Sequence, residues 1–240
     1  MNSYTRLGVT AATAILATAA SVALPVQAQA QVHAQDASAA VQPRLTAAQT
    51  LATARITGRL ATLNALKLAV TDTAQLTAPD RTALDSLLDS DISSLTALKD
   101  RIATETTVAA VRVDDTAIVD DYRVYMLVAP KVRLTSVFDI ETAAEATLQK
   151  AHDALAAKVA AAPGGGTAAE HSELADLQSQ ITAAQQASTG QVATLLAIQP
   201  GPDAAAIHAA LAPLVSSAKS ARQDLLRART DAQELRAALQ

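Results

Sequence analysis

The stretch DDYRVYMLVAPKVRL, residues 120–134, decides how the rest of the chain is read. It gathers two tyrosines, a methionine, three basic residues and a proline. With Phe138 it holds every aromatic residue beyond Tyr4. RVYMLV is rich in β-branched and aromatic residues and taken alone would suit a strand. A strand needs a partner, and no second segment of similar strength is available to pair with it. The flanking periodicity is helical instead. Val108, Val111, Ile118, Tyr122 and Tyr125 recur three or four apart, passing through Asp115, which predicts a helix over 106–128. Pro130 withdraws an amide from any helix through it and disfavours helical geometry at Ala129, so a bend is expected between Leu127 and Lys131.

Outward from this stretch the same spacing repeats. Thr46-Ala47-Ala48-Gln49 has the form of a capping box, and Ile56, Leu60, Leu63, Leu66 and Val70 follow it, predicting a helix over 46–75. Thr77-Ala78-Pro79-Asp80 starts a second helix, marked by Leu84, Leu88, Ile92, Leu95, Leu98 and Ile102. Beyond Pro130, Leu134, Phe138, Glu141, Leu148, His152, Leu155 and Val159 outline a helix over 131–161. Pro163-Gly164-Gly165-Gly166 breaks the chain, and is expected as a hairpin tip rather than a domain linker. A fifth helix carries Leu174, Leu177, Ile181, Ala184, Leu195 and Ile198, and ends at Gln199-Pro200-Gly201-Pro202. The sixth is the most regular. From Ile207 through Leu211, Leu214, Ala218, Ala221, Leu225, Ala228, Ala232 and Leu235 to Leu239, the pattern alternates by four and three, as in a coiled coil with a small-residue seam. The expectation is an all-α fold: an elongated, up-down antiparallel bundle of about six helices over 46–240, with 163–166 as its one candidate sub-boundary.

Composition agrees with that class. Half of the residues are apolar, yet roughly a quarter of the chain is alanine and aromatics are almost absent. Such a chain suits long helices in close approach better than a sheet or a wide core. The N-terminus reads as an export signal, residues 1–30. Arg6 forms the positive region, Leu7–Leu24 the apolar region, and Pro25 precedes small residues that allow cleavage after Ala28 or Ala30. Residues 31–45 lack periodicity and are expected as a flexible leader. The exported chain would hold about 210 residues without disulfides, because cysteine is absent. No second apolar segment approaches membrane-spanning length, so no membrane role is expected once the signal is removed. The net charge of −4 gives no reason to expect nucleic-acid binding.

Reactive constellations are lacking. His33 lies in the leader, and none of His33, His152, His171 and His208 has another His or Cys at the i, i+3 or i+4 spacing that a shared helical metal site needs. There is no G-x-S-x-G elbow, no S-x-x-K and no phosphate loop. Asp114-Asp115 and Asp120-Asp121 lack the loop register of an EF-hand and read as a solvated acidic face. Asp115 and Glu141 fall on apolar stripes, where a carboxyl can have a shifted pKa. No catalytic residue, cofactor or metal site is assigned, and the chain is expected not to be an enzyme.

That leaves 120–138 as the candidate patch: Tyr122, Arg123, Tyr125, Met126, Pro130, Lys131, Arg133 and Phe138. On a regular helix Tyr122 and Tyr125 share a face, and a turn at Pro130 would bring Phe138 back against them. Arg123, Lys131 and Arg133 would ring the aromatics. The patch then serves either as a packing hub at the joint or as a recognition surface, since tyrosine and arginine together mark interface hot spots.

LTAPDRTALDSLLDSDISSLTALKDRI (76–102) followed by DDYRVYMLVAPKVRL resembles a group of uncharacterised exported proteins, rich in Ala and Thr, from high-GC Gram-positive (actinobacterial) sources. The matching residues are Leu76, Thr77, Asp80 and Arg81, then Tyr122 to Tyr125, then Pro130 and Lys131, all in the first half of the chain. The resemblance implies export and a helical fold but no activity. The functional expectation is a secreted or cell-wall-associated, non-enzymatic structural or interaction protein, its partner an envelope or extracellular protein or a second copy met through 207–239. The alternative is a carrier of a small molecule or peptide in an interhelical groove near Tyr122, Tyr125 and Phe138.

Overall fold

The computed structural model describes residues 26–240, and the expected signal segment lies outside them except for its end. The chain divides at Pro43 into two units. Of the first, Met1–Pro43, only the beginning of helix α1 (Val26–Asp72) is described. Residues 31–45, expected as a flexible leader, are helical here. Alanine and glutamine are strong helix formers and need no amphipathic pattern to continue a helix, while Pro43 costs it one backbone hydrogen bond.

The second unit, Arg44–Gln240, is all-α, with no strand among the described residues. After α1 come α2 (Ala78–Thr104), α3 (Val108–Asp120), a π turn (Val124–Val128) and α4 (Ala129–Ala161). A 3-10 turn (Pro163–Gly165) leads to α5 (Ala168–Ser188), α6 (Gln191–Ala197) and α7 (Ala204–Ala238). Six helical segments were expected. The fifth is two helices, because Gly190, at φ 76°, ends α5 and starts α6.

Two three-helix sets share the α3–α4 segment. In the first, α2 runs antiparallel to α1: the Gln49 side chain meets the Ile102 carbonyl, and Lys67 pairs with Asp89. α3 and the start of α4 then run back along α2, with Asp114 bound by Arg101 at one end and Asp139 accepting from the Thr77 amide at the other, 2.8 Å away. Their common core joins Ile56, Leu63, Leu84, Leu88, Leu95, Ile102 and Ile118. In the second set, α5 and α6 descend along α4, and α7 ascends beside both. Gln149 meets Gln178, and Ser188 donates to Glu145 at 2.8 Å. α4 and α7 are therefore parallel neighbours, although every consecutive pair of long helices is antiparallel.

The turns follow the local chemistry. Thr77 caps α2 by accepting from the Asp80 amide, with Pro79 in the first turn as its sequence indicates. Arg81 closes the α1 end, donating to the carbonyls of Val70, Thr71 and Thr73. Gln49 is not the far half of a capping box: its amide reaches the α2 C-terminal carbonyls of Ile102 and Glu105, both at 3.0 Å. Pro163–Gly166 is a hairpin tip between α4 and α5, and Thr167 with Glu170 forms a complete capping box after it. The heptad residues of α7 from Ile207 to Leu235 are all buried in the chain's own core, so that face is covered from within. Pro213 lies on the exposed side of α7 and leaves the helix unbroken.

Candidate functional site

The bend in 120–134 falls at Arg123, about one helical turn before the Leu127–Lys131 stretch where proline was expected to place it. Arg123 carries it, at φ 43° and ψ 40°, the left-handed region that few residues other than glycine occupy. The π turn that follows accepts the Val128 amide at the Arg123 carbonyl, 3.3 Å away. Pro130 sits in the first turn of α4, where a missing amide is tolerated. The wider π turn directly before it relieves the contact its ring would otherwise make with the preceding turn. Residues 122–128 are thus neither strand nor regular α-helix. The π turn also serves both helix sets: Val124 and Val128 enter the core of the first, and Leu127 packs with Leu195, Ile207, Leu211 and Leu214 of the second.

The left-handed residue at 123 turns the two tyrosines apart. Tyr122 packs on the first core beside Ser94 and lines a hollow with Arg101 and Asp121. Its hydroxyl titrates above the ordinary range, first because of burial and then because of Asp121 and Asp91. Tyr125 is 56% exposed, with Arg59 stacked 5.4 Å from its ring centre. Phe138 is fully buried on α4. Tyr122 and Tyr125 therefore sit in different surroundings, and Phe138 belongs to the interior.

The basic residues do not ring a surface either. Arg123 donates to the carbonyls of Gly201 at 2.7 Å and Pro202 at 2.6 Å, and pairs with Asp120 at 2.9 Å. Lys131 is buried and donates to the carbonyls of Leu196 at 2.9 Å and Ile198 at 2.5 Å, capping the end of α6. Together they clamp the end of α6 and the connection after it onto the Arg123–Lys131 segment. Burial lowers the Lys131 pKa while Asp91 raises it; burial pushes the Asp91 carboxyl up to about 6, opposed by Lys131. Arg133 is exposed, as is Met126. Nor are the acidic pairs an open face: Asp114 is buried against Arg101, Asp115 pairs with Arg55, and Asp120 with Arg123, leaving Asp121 exposed.

The open surface lies along the parallel α4–α7 seam. Two grooves follow each other there. One, of about 650 Å³, runs between Tyr125, Met126, Pro130 and Leu134 and, on α7, His208, Leu211 and Val215. The other, of about 760 Å³, lies between Val137, Ile140, Glu141 and Leu148 and, on α7, Arg222, Leu226 and Arg229. Of the ten large apolar side chains exposed among the described residues, six line these two grooves: Tyr125, Met126, Val137, Ile140, Val215 and Leu226. Scattered apolar exposure is ordinary; its collection along one seam is not.

Glu141 is the exceptional group. It is 5% exposed, and neither carboxyl oxygen has a hydrogen-bond partner. Burial and the neighbouring Glu145 push its pKa up to about 7, with Arg222 pulling the other way. Glu145 is also buried and titrates above the ordinary range, but Ser188 satisfies it. Glu141 falls on the stripe that periodicity drew. Its groove was not foreseen, because the parallel approach of α4 and α7 leaves no mark in either helix alone.

Among the described residues no group of His, Cys, Asp and Glu could hold a metal ion, and no helix is long and apolar enough to cross a membrane. His152 faces Asp153, and His171 contacts the Gly165 carbonyl. No family model, curated protein or solved structure matches the chain.

Proposed function

We propose that this is an exported, non-enzymatic helical binding protein of the cell envelope or extracellular space, and that its working surface is the α4–α7 seam. The observation that carries the reading is the collection of exposed apolar side chains along that seam. Elongated apolar grooves between helices are common sites for ligands and for amphipathic partner segments. The basic residues of 120–134 serve the joint, which moves the candidate surface away from Arg123 and Lys131 to Tyr125, Met126 and the α4 residues beyond. The covered heptad face of α7 favours an outside occupant over self-association through 207–239.

An environment-sensitive apolar dye, titrated into the purified protein, tests the reading. Saturable binding should be lost in an Ile140→Asp/Leu226→Asp variant that keeps its helical content. Undiminished binding in that variant overturns it. The unpartnered carboxyl within the groove favours a small amphiphile over a protein helix, since a helix face offers few donors to reach it.

A further inference from the structure

We propose that the groove bounded by Val137, Ile140, Glu141, Arg222, Leu226 and Arg229 binds an amphiphilic anion, an alkyl chain ending in a carboxylate. The inference rests on the seam being a binding surface and names the chemistry it takes.

Three independent features define that ligand. The bed is apolar, and from Val137 to Leu148 the helix advances about 16 Å, the length of an extended alkyl chain of about a dozen carbons. Arg222 and Arg229 stand on its α7 wall with no ion-pair partner among the described residues, two turns apart on one helix face. They favour an anion and oppose a cation. Glu141, nine-tenths buried or more and without any partner, lines the same groove. In its protonated form it donates one hydrogen bond to a carboxylate oxygen; ionised, it repels the same head group.

The groups around Glu141 leave this role to it. Glu145 lies one turn on along α4 and is bound by Ser188 from α5. Arg222 faces it from α7, Arg229 lines the same groove two turns further on, and Gln75 from the α1–α2 connection is uncharged. Asp139, two residues back, points to the Thr77 amide. The Glu141 pKa of about 7 places its proton within the neutral range. If only the protonated form accepts the anion, affinity scales with the protonated fraction and falls roughly tenfold from pH 6 to pH 8.

Calorimetric titration of the purified protein with dodecanoate, dodecylamine and dodecanol, each below its aggregation limit, tests this at pH 6 and pH 8. Dodecanoate should bind about tenfold tighter at the lower pH. Glu141→Gln should hold dodecanoate with equal affinity at both, because the amide donates without titrating. Arg222→Gln/Arg229→Gln, on exposed side chains, should weaken dodecanoate at both pH values and leave dodecanol unchanged. Dodecylamine binding as tightly as dodecanoate overturns the proposal, as does a pH dependence that survives Glu141→Gln. Dodecanol binding with no preference for dodecanoate overturns the anion proposal and leaves the seam reading standing. Failure of all three to bind overturns both.

Discussion

Lys131 on α4 holds the end of α6 through two carbonyls, those of Leu196 and Ile198, from a fully packed position. A buried ammonium is costly unless its donors are used, and here the C-terminal carbonyls of a helix use them. Lys131→Ala removes both bonds, leaves a cavity and strips Asp91 of its neighbouring charge. It should lower unfolding free energy by about 2–4 kcal/mol in urea titration. Lys131→Met, which fills the space, should cost less than half of that.

Arg123 has two separable roles. Its guanidinium binds the Gly201 and Pro202 carbonyls, and its backbone occupies the left-handed region. Arg123→Ala loses the first and keeps the strain of the second. Arg123→Gly loses the bonds and relieves the backbone, so it should be more stable than the alanine variant by about 1 kcal/mol, though below the parent. Equal stabilities in thermal unfolding would place the bend elsewhere.

The aromatic residues should behave unequally. Phe138 is fully buried, and Phe138→Ala should cost about 3–5 kcal/mol. Tyr125, more than half exposed with only Arg59 stacked on it, should lose no more than about 1 kcal/mol on replacement by alanine. A joint hub would make the two losses similar.

Stability should decline as pH rises through neutrality. Glu141 and Asp91 have folded pKa values raised to about 7 and about 6, so their neutral forms suit the fold and their ionised forms oppose it. The contribution is complete below the ordinary carboxyl range and is lost as pH climbs through those raised values. Asp153 and Glu170 are held below the ordinary range and act only at more acid pH. Urea unfolding from pH 5 to pH 8 should show the decline, and Glu141→Gln should flatten it in part. A stability that rises over this interval would contradict the assignment.

Much of the fold was legible, and what was missed was missed for tertiary reasons. The α2 start could be read because Thr77, Pro79 and Asp80 are local signals that the structure uses locally. The α7 pattern could be read because its alternation of apolar positions is the face that packs. Arginine is no breaker, so nothing local announced Arg123; its conformation is held by carbonyls some eighty residues away. Gln49 looked like a cap for its own helix and caps another. Glu141 was visible as a carboxyl on an apolar stripe, but Arg222 and Arg229 could join it only once α4 and α7 were known to run parallel.

The most direct measurement is of methyl and backbone NMR shifts in the protein as dodecanoate is added at pH 6. The account predicts changes concentrated at Val137, Ile140, Ala144, Leu225 and Leu226, with little at Leu63, Leu88 or Ile118 in the first core. Shifts centred on the first core, or no saturable change along the α4–α7 seam, would contradict it.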